Sequence, residues 1–391
     1  MKSINKPYVV KEEYVFPFSR GILTQSLVSA GFNAEESYEI ATEIQNNLIG
    51  KGIKRIGSEN LKTIVSEYLG GKYGENLKEK YLKATSIRIG VVRGKTISPY
   101  SKGLMSQSLK ASGIDPSLSY DIARKIENHL FNQGKNNITN DELRIITYKI
   151  ITKQCGKDFA DRYLLWRSIK KLNKPFIVMF GGGTGAGKST VSFEIAHRLG
   201  ITAVLSTDSI REIMRSMISE DLMPCIHKSS FTAWTCYRTP LPIGADPVII
   251  AFQEQVAKIS VGLMATIERA IKENASLVIN GIHIVPGFIE KHYFEEAHIA
   301  FMIVSLNDRD LHKERFILRE NQTLVKRKSE KYLDNFENIR KLQDYIISQA
   351  KKHTIPIIDN VDMDRTVSVV LDYLTEFIKD KINPDVKTLL G

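Results

Sequence analysis

The second half of the chain alternates between short apolar runs and longer stretches in which apolar residues recur at helical spacing. Helical spacing predicts amphipathic helices, whereas short, fully apolar runs bounded by turn residues predict buried strands. Such strands are typical of a parallel sheet, because helices cover both of its faces. The pattern therefore predicts an α/β fold with a parallel five-stranded sheet, whose strands lie within 176–180, 203–207, 276–280, 298–306 and 355–359.

The first 170 residues contain a sequence repeat. The segment 18–44, FSRGILTQSLVSAGFNAEESYEIATEI, aligns without gaps on 100–126, YSKGLMSQSLKASGIDPSLSYDIARKI, at a constant offset of 82. Self-similarity at a fixed offset indicates a duplicated structural unit. Each copy predicts a short β-like opening, a helix, a glycine-containing turn, a second helix from about Glu35 or Ser117, and a third helix before a closing Tyr-Leu pair. Both copies are therefore predicted to be mainly α-helical.

The repeat also predicts core positions and domain bounds. The turns 31–33 and 113–115 are expected to end one helix and cap the next, because glycine accepts the left-handed conformation at a helix end and Asn or Asp is a favoured N-cap. Apolar residues at helical spacing predict the core of the first copy. They are Ile22, Leu23, Leu27, Ile40, Ile44 and Leu48. The predicted domains are 1–85, 86–172 and 173–391.

Residues 182–189 match G-x-x-x-x-G-K-[ST], the signature of a phosphate-binding loop, directly after the first predicted strand and before a predicted helix. Glycines let backbone N–H groups turn inward toward phosphate oxygens. Lys188 is placed to reach the β- and γ-phosphates, and Ser189 to offer its hydroxyl to Mg²⁺. The motif thus predicts a site for ATP and Mg²⁺. Its nucleotide-binding residues are Gly182, Gly183, Thr184, Gly185, Ala186, Gly187, Lys188, Ser189 and Thr190.

A carboxylate follows the second predicted strand. There Asp208 is placed to orient Mg²⁺-bound water or to accept the proton of an attacking hydroxyl. The alternative, compatible with the first, is that Asp208 or Ser209 caps the next helix. The third strand ends at Asn280, where strands of this kind often end in an acid. Asp208 then supplies the carboxylate alone or His283 shares in the site; otherwise His283 is a hydrogen-bonded core histidine.

Segment 225–247 is polar, aromatic and without clear periodicity. Long ordered loops in compact domains are usually functional, so we expect this one to bind the phosphoryl acceptor. The alternative for this segment is a surface insertion in which Phe231 and Trp234 only pack. The alternative for Arg211 is a position on a solvated helix face. Arginine recognises phosphate and carboxylate through paired hydrogen bonds. The predicted substrate-binding residues are Arg211, His227, Lys228, Ser229 and Arg238.

Arg315 and Arg319 lie four residues apart on a predicted helix, beside the basic run 325–332 that contains Arg327. This arrangement predicts a helical lid that closes over ATP and brings positive charge to the transferring phosphoryl group. The alternative is a solvated basic helix. No Asn-Lys-x-Asp or Asp-x-x-Gly motif of a GTPase occurs in the sequence. A compact P-loop kinase with a lid is therefore the class that the motifs favour.

Composition narrows the setting rather than the chemistry. The three cysteines are scattered and support neither a disulfide framework nor a zinc cluster, and the first residues form no apolar signal segment. Both observations predict a cytoplasmic protein. The net charge of +11 suits nucleic acid, an anionic membrane or a small anionic substrate. Because the basic residues are spread along the chain, we predict no nucleic-acid partner, and no apolar run predicts a membrane partner.

The repeated segments resemble the ATP-cone, a small nucleotide-sensing module usually found at the N-terminus of an enzyme. The resemblance rests on VVK, FPFSRG and AGFNAEESYEIATEI in the first copy and on VVRGKTISPYSKG and SGIDPSLSYDIARKI in the second. It covers residues 5–84 and 87–168, and the alternative is a docking or oligomerisation domain. The residues that it implies for regulatory nucleotide binding are Lys11, Arg20, Arg93 and Lys102.

The chain as a whole resembles the archaeal 2-phosphoglycerate kinases, through GGGTGAGKSTVSFEIAHRLGITAVLSTDSIREIMR, HKSSFTAW, GIHIVPG and KYLDNFENIRKLQDYI. The resemblance implies Mg²⁺-dependent transfer of the ATP γ-phosphate to the 3-hydroxyl of 2-phosphoglycerate. The product, 2,3-bisphosphoglycerate, is a precursor of cyclic 2,3-diphosphoglycerate in some archaea. The implied metal ligands are Ser189 and Asp208. The implied catalytic residues are Lys188, Asp208, Arg315 and Arg319.

Two rival functions remain open from the sequence. The first is a P-loop kinase that acts on another phosphorylated small acid or on a nucleic-acid end. The second is a regulatory sensor that binds ATP without transferring phosphate. Asn280 bears on both, because it stands where the family resemblance predicts a glutamate before Gly-x-His.

Overall fold

The computed structural model describes residues 7–11, 14–86, 89–94, 96–133, 137–169, 172–237, 241, 243–322 and 329–382. These residues pack as two compact units. One unit comprises Met1–Tyr100 with Glu127–Asn140, and the other comprises Ser101–Ile126 with Asp141–Gly391. The division at residues 85 and 172 stays a prediction.

The same order of elements occurs twice in the first 170 residues. The first occurrence is β1 Tyr8–Lys11, β2 Tyr14–Pro17, α1 Arg20–Ser29, α2 Ala34–Gly50, β3 Arg55–Gly57, α3 Ser58–Tyr73 and α4 Glu75–Ser86. The second is β4 Gly90–Arg93, β5 Thr96–Pro99, α5 Lys102–Ala111, α6 Pro116–Asn132, β6 Asn137–Thr139, α7 Asn140–Cys155 and α8 Lys157–Ser168. The strand orders, β2-β1-β3 and β5-β4-β6, also match.

The observed elements refine the prediction made for each copy. The second helix begins within one residue of its predicted start, but the third strand and fourth helix were missed. The closing Tyr-Leu pair lies inside this fourth helix, α4 or α8, rather than after the third. The predicted turn is confirmed in both copies. Gly31 has φ +102°, Asn33 accepts a hydrogen bond from the Glu36 amide at 2.7 Å, and Asp115 accepts one from the Ser117 amide at 2.8 Å.

The predicted core of the first copy is confirmed except at one position. Leu23, Leu27 and the three predicted residues of α2 are buried. Ile22, by contrast, is 71% exposed, so its assignment to the core was wrong. Leu23 and Leu27 are four residues apart and share one face of α1, whereas Ile22 is rotated about 100° away from Leu23.

The second half forms the predicted parallel sheet. Among the described residues it has five strands in the order β11-β10-β7-β9-β8, and every neighbouring pair is parallel. The strands are β7 Phe176–Gly181, β8 Val204–Ser206, β9 Leu277–Asn280, β10 His298–Ser305 and β11 Ile357–Asp359. The central strand β7 leads directly into the phosphate-binding loop, which places that loop at the carboxyl edge of the sheet.

Helices cover both faces of this sheet, and alternate residues of β7 belong to different cores. Ile177 and Met179 pack in one apolar cluster, while Val178 and Phe180 pack in the other. The helices are α9 Lys188–Leu199, α10 Thr207–Met217, α11 Pro247–Lys272, α12 Lys291–Glu296, α13 Arg309–Gln322, α14 Glu330–Leu333, α15 Phe336–Lys352 and α16 Met363–Ile382. Two 3₁₀ helices, Pro224–His227 and Ala233–Cys236, lie between α10 and α11.

Helix α11 was missed in the sequence analysis. It has 26 residues, begins at the N-cap Asp246, and is long and apolar enough to cross a membrane by length and composition alone. Its apolar face is buried in the core of the protein, where Phe252, Ile259 and Ile267 pack beneath the sheet. Such a helix is weak evidence for a membrane, because the core helix of a globular protein has the same composition.

Helices of the second repeat pack within the same compact unit as the large sheet. Ala111 of α5 and Leu165 and Trp166 of α8 are buried in the apolar cluster that contains Phe176 of β7. Gln107 donates a hydrogen bond to the carbonyl oxygen of His197 at the end of α9. Arg162 of α8 forms an ion pair of 2.5 Å with Asp372 of α16. Helices α5 and α8 are thus part of the packing that supports the phosphate-binding loop.

Candidate active site

The phosphate-binding loop is held tightly by elements distant in sequence. Gly185 and Gly187 have positive φ values of +84° and +88°, which L-residues rarely adopt. A Cβ at Gly185 would lie 2.7 Å from the His312 ring, and one at Gly187 would lie 2.2 Å from the Asn360 amide nitrogen. Only glycine therefore fits at these two positions, which confirms the conformation expected of the loop.

Lys188, the lysine of the loop, is 8% exposed and donates a hydrogen bond of 2.6 Å to the Gly183 carbonyl oxygen. Burial lowers its pKa to about 8, the nearby Asp208 carboxylate raises it, and Arg319 lowers it. The charges of Asp208 and Arg319 therefore act on the Lys188 ammonium. Three residues predicted to be catalytic thus influence one another through their charges.

Ser189 faces the end of the third strand of the sheet. Its hydroxyl donates a hydrogen bond of 3.1 Å to the side-chain oxygen of Asn280, which is 2% exposed. The amide of Asn280 thus stands where an acid was expected, and its oxygen still accepts. This bond leaves the lone pairs of the Ser189 oxygen available to a cation.

Asp208 lies in the first turn of α10. The N-cap of this helix is Ser206, whose hydroxyl accepts a hydrogen bond of 3.0 Å from the Ser209 amide. The alternative that Asp208 or Ser209 is the cap was therefore wrong. The Asp208 carboxylate is 66% exposed and 3.8 Å from the Arg211 guanidinium. It is accessible to a substrate, at a helix end that favours negative charge.

The predicted acceptor-binding residues divide into two groups. Arg211 lies beside Asp208, and its guanidinium donates to the Lys228 carbonyl oxygen at 3.4 Å. The side chains of His227 and Lys228 have partners elsewhere: the His227 ring donates to the Ile218 carbonyl at 2.9 Å, and Lys228 pairs with Glu220 at 2.9 Å. Ser229, which is half-buried, accepts through its carbonyl oxygen from the Thr232 amide at 2.9 Å. Arg238 lies outside the described residues.

His283 is buried and fully hydrogen-bonded. Its Nδ1 lies 3.0 Å from the Thr207 hydroxyl, and its Nε2 lies 3.0 Å from the Gln255 amide oxygen and 3.2 Å from the Ser230 hydroxyl. Burial lowers its pKa to about 3, with a further lowering by Arg211 and Lys188 against a raising by Asp208. The sequence left open whether His283 shares in the site or is a hydrogen-bonded core histidine. In the structure it is a hydrogen-bonded core histidine.

Of the two predicted lid arginines, Arg315 contacts the backbone of the phosphate-binding loop. Its guanidinium donates to the Asn360 carbonyl at 2.5 Å and to the Ala186 carbonyl at 3.4 Å. Burial lowers its pKa. Arg319, one turn further along α13, is exposed. Arg327 lies outside the described residues.

Sequence analysis missed His312 and Asn360, which contact the loop, and Arg340, which contacts the residue that follows β10. His312 faces the Thr184 carbonyl oxygen at 2.7 Å, and burial lowers its pKa to about 4. Asn360 donates to the Ala186 carbonyl at 2.9 Å, and Arg340 donates to the Leu306 carbonyl at 2.5 Å. A signal existed for His312, since it precedes Arg315 by three residues and shares its helix face. No local pattern marks Arg340 or Asn360.

The four predicted regulatory residues all lie in the repeats. Arg20 begins α1 and lines a cavity of about 370 Å³, with its guanidinium 5.1 Å from the centre of the Tyr38 ring. The other lining residues are Pro17, Phe18, Ser19, Gly21 and Gln45. Lys11 ends β1, Arg93 ends β4, and the half-buried Lys102 begins α5.

A parallel α/β sheet whose central strand leads into a glycine-rich phosphate-binding loop, with Lys188 and Ser189 at its end, defines a P-loop nucleotide-binding protein, the class to which P-loop kinases belong. Comparison with known proteins narrows this class. No family model matches the chain. Curated proteins named 2-phosphoglycerate kinase do match it, and the sequence alone had suggested this family.

The relative from Methanothermobacter thermautotrophicus is 39% identical over 288 residues, covering 73% of this chain and 94% of that protein. The relative from Pyrococcus furiosus is 40% identical over 283 residues, covering 72% of this chain and 91% of that protein. The relative from Methanopyrus kandleri is 38% identical over 278 residues, covering 71% and 84%. The chain belongs to the 2-phosphoglycerate kinase family.

Among solved structures, shikimate kinase from Acinetobacter baumannii in complex with shikimate aligns with 56% of this chain and 99% of that chain, at 14% identity and a TM-score of 0.32. A TM-score of this size supports no conclusion about the present chain.

Proposed function

We propose that the protein transfers the γ-phosphate of ATP to the 3-hydroxyl of 2-phosphoglycerate, giving 2,3-bisphosphoglycerate and ADP. The observation that carries the proposal is the phosphate-binding loop ending in Lys188 and Ser189, with the exposed Asp208 carboxylate 3.8 Å from the Arg211 guanidinium at the same edge of the sheet. The names of the archaeal relatives support 2-phosphoglycerate as the acceptor.

In the proposed reaction, backbone N–H groups of the loop and the Lys188 ammonium bind the β- and γ-phosphates. The pKa of Lys188, lowered by burial to about 8, leaves most of the group protonated at pH 7. Arriving phosphate oxygens take over from the Gly183 carbonyl as acceptors of its protons. Lys188 then stabilises the charge that develops on the phosphoryl oxygens, which is the largest contribution that proteins make to this reaction class.

Asp208 is proposed as the proton acceptor. As the 3-hydroxyl oxygen bonds to the γ-phosphorus, the bond from that phosphorus to the bridging oxygen of ADP breaks, and the hydroxyl proton passes to the Asp208 carboxylate. The accessible position of the carboxylate in the first turn of α10 supports this role. Arg211, beside it, is placed to hold the carboxylate or phosphate of the acceptor.

Magnesium fits the residues at the end of the loop. In the described part of the chain, no group of three or more His, Cys, Asp or Glu side chains could hold a metal ion. Mg²⁺ in nucleotide sites takes most of its ligands from phosphates and water and needs few from protein. Ser189 and Asp208 would hold it, and Asn280 would orient the Ser189 hydroxyl. Bound Mg²⁺ neutralises charge on the β- and γ-phosphates.

The exposed Arg319 is proposed to bring positive charge to the transferring phosphoryl group, and its effect on the pKa of Lys188 supports this. For Arg315, the hydrogen bonds to loop carbonyls support a role in holding the loop. His227, Lys228, Ser229 and Arg238 stay proposed acceptor ligands. Of these, His227 and Lys228 would have to exchange their present partners, Ile218 and Glu220.

The first repeat is proposed to bind a regulatory nucleotide in the cavity beside Arg20 and Tyr38, where an arginine and an aromatic ring offer a phosphate partner and a stacking surface. Lys11 is proposed to assist in this repeat, and Arg93 and Lys102 to serve in the second. The sequence favours the first repeat as the nucleotide-binding copy. The position of Gln45 corresponds to Glu127 in the second copy, where a carboxylate would repel phosphate.

Self-association through the repeats and a cytoplasmic location are also proposed. Cysteines outside disulfide bonds suit such a location.

The test of the proposed reaction is ADP release from Mg-ATP in the presence of 2-phosphoglycerate, 3-phosphoglycerate, glycerate or a 5′-hydroxyl oligonucleotide. We expect 2-phosphoglycerate alone to stimulate turnover strongly. Lys188→Ala is expected to lower kcat by a factor on the order of 100 or more, because it removes a charged donor to the transferring group. As the control, Lys379→Ala removes a surface lysine of α16 and leaves the rate unchanged.

Stimulation by another acid or by the oligonucleotide would show that the phosphoryl acceptor is a different molecule, while the protein would still be a kinase. ATP binding without ADP release under any of these conditions would overturn the proposal in favour of a nucleotide sensor.

A further inference from the structure

Buried polar groups from four segments of the chain meet at His283, which the proposed reaction does not use. The hydroxyl of Thr207, at the start of α10, faces the ring Nδ1 at 3.0 Å. The amide oxygen of Gln255, on α11, and the hydroxyl of Ser230 face Nε2 at 3.0 and 3.2 Å. His283, Thr207 and Gln255 are at most 1% exposed. A polar cluster so deeply buried is costly unless every member has a partner.

The hydrogen-bond directions in this cluster are fixed by chemistry. The Gln255 amide nitrogen donates to two backbone carbonyls, those of Cys225 at 2.6 Å and Lys228 at 3.1 Å. Because carbonyls only accept, the Gln255 oxygen must be the atom that faces His283. The ring therefore carries its proton on Nε2, and Nδ1 accepts from the Thr207 hydroxyl. His283 is neutral and satisfied at both nitrogens.

This cluster links Asp208, the proposed proton acceptor, to the segment that is proposed to bind the phosphoryl acceptor. Thr207 directly precedes Asp208 in the chain, while the carbonyls held by Gln255 belong to the segment 224–231. A Cβ on Gly281 would lie only 1.8 Å from the Thr207 hydroxyl oxygen, so the Thr207 side chain packs directly against the Gly281 backbone. The contacts through His283 thus hold the 224–231 segment in a fixed position relative to Asp208.

We propose that His283 is a positioning residue which, through Gln255, fixes the 224–231 segment relative to Asp208 and thereby determines which acceptors fit beside that carboxylate. The inference rests on the proposed function for the place of the acceptor. His283 touches neither substrate nor the reacting atoms. Its chemistry suits this role, since an imidazole offers one donor and one acceptor on opposite sides of a rigid ring.

The kinetic test compares His283→Leu and Gln255→Leu with the unmodified enzyme. We expect KM for the phosphorylated acid to rise about tenfold or more, because the 224–231 segment loses its anchors. The dissociation constant of ATP should change by less than about twofold, since the loop around Lys188 is held by other residues. His283→Gln keeps a donor near the position of Nε2 and should restore part of the acceptor KM.

The matched control is Thr375→Val, which removes a buried hydroxyl that bonds only within its own helix, to the Leu371 carbonyl. It is expected to lower the melting temperature without changing KM for either substrate. A His283→Leu variant that raises both KM values equally, or neither, overturns the inference. Should His283→Leu fail to fold, Gln255→Leu and His283→Gln decide the same point.

A second readout separates this inference from the proposed function. Hydrogen exchange measured by mass spectrometry on the full chain without substrate should show faster exchange in peptides covering 224–231 in His283→Leu, by about tenfold or more. Peptides covering 182–189 should be unchanged. Equal protection of 224–231 in both proteins overturns the positioning role. If the segment loosens in His283→Leu and 2-phosphoglycerate still fails to stimulate the unmodified enzyme, the proposed function is wrong and the positioning of the segment by His283 stands.

Discussion

At the scale of single residues, the active site departs from expectation most clearly at Asn280. The sequence motif predicts an acid at the end of this strand. The buried Asn280 amide stands there instead, and its oxygen accepts a hydrogen bond of 3.1 Å from the Ser189 hydroxyl. An amide serves here because it orients the hydroxyl without adding a second carboxylate beside Asp208. In the proposed Mg²⁺ site, the negative charge would then come from Asp208 and the nucleotide phosphates.

This arrangement predicts that Asn280 and Ser189 act as a pair. Asn280→Ala should weaken Mg-ATP binding by roughly 1 kcal/mol, about fivefold, because it removes the hydrogen bond that orients the Ser189 hydroxyl. Ser189→Ala should weaken it more, because it also removes a proposed Mg²⁺ ligand, and the double variant should be little weaker than Ser189→Ala alone. Isothermal titration calorimetry with and without Mg²⁺ measures both effects. Fully additive losses would show that the two residues act separately, and Asn335→Ala, remote in sequence and half-buried, is the control.

At the scale of elements, the phosphate-binding loop is stabilised by helix α13 as much as by its own glycines. His312, on the buried face of α13, packs on Phe316 with ring centres 5.1 Å apart while it contacts the Thr184 carbonyl. The helix predicted as a lid therefore has two parts. Its first turns are fixed to the loop, and the exposed Arg319 lies further along.

Burial of this histidine predicts a dependence of stability on pH. The pKa of His312 is lowered from 6.5 to about 4, so the unfolded chain takes up a proton that the folded chain refuses. Stability is therefore full above pH 6.5 and falls as the pH drops toward 4. Between pH 7 and pH 5, His312 should account for a loss of about 2 kcal/mol in the free energy of unfolding.

Urea denaturation at the two pH values measures this loss. His312→Gln should be less stable than the unmodified protein at pH 7 but should lose about 2 kcal/mol less on going to pH 5. The exposed His292, changed to Gln in parallel, should leave the pH dependence as it was. An unaltered slope in His312→Gln would contradict the lowered pKa.

The sequence was informative about elements whose residues are adjacent and uninformative about contacts between distant ones. The five strands and the phosphate-binding loop were predicted because apolar runs and the G-x-x-x-x-G-K-[ST] spacing are local. Helix α11 was missed although its N-cap Asp246 and Pro247 are local signals. Asn360 and Arg340 could not be predicted, because their partners Ala186 and Leu306 are 174 and 34 residues away.

At the scale of the whole molecule, the two repeats differ at the positions that pack on the large sheet. Leu165 and Trp166 are buried in its apolar cluster, whereas the corresponding positions of the first copy carry Lys83 and Ala84. The relative from M. thermautotrophicus matches 73% of this chain, so about a quarter of it, roughly the length of one repeat, lies outside that alignment. Helices α5 and α8 of the second repeat are thus structurally tied to the kinase half.

This difference predicts the outcome of two truncations. A protein lacking residues 1–86 should fold cooperatively and keep ATP binding. One lacking 1–172 exposes the cluster around Phe176 and loses the burial of Leu165 and Trp166, about 5 kcal/mol at roughly 2 to 3 kcal/mol for each large side chain. Because a domain has only about 5–15 kcal/mol to lose, this protein should aggregate or melt far earlier.

Circular dichroism and size-exclusion chromatography distinguish these outcomes. Leu165→Ala in the full chain provides an intermediate case and should cost about 2–5 kcal/mol. Equal thermal stability of the two truncated proteins would show that α5 and α8 are dispensable.

The two copies consequently face different evolutionary constraints. Substitutions in the copy that carries Trp166 change the stability of the catalytic half, whatever becomes of any ligand site in that copy. The other copy, with Lys83 and Ala84 at the matching positions, is exempt from that requirement and can be retained or lost according to its own usefulness. Duplication has thus confined this packing requirement to the second copy, and the first copy can diverge in sequence without losing it.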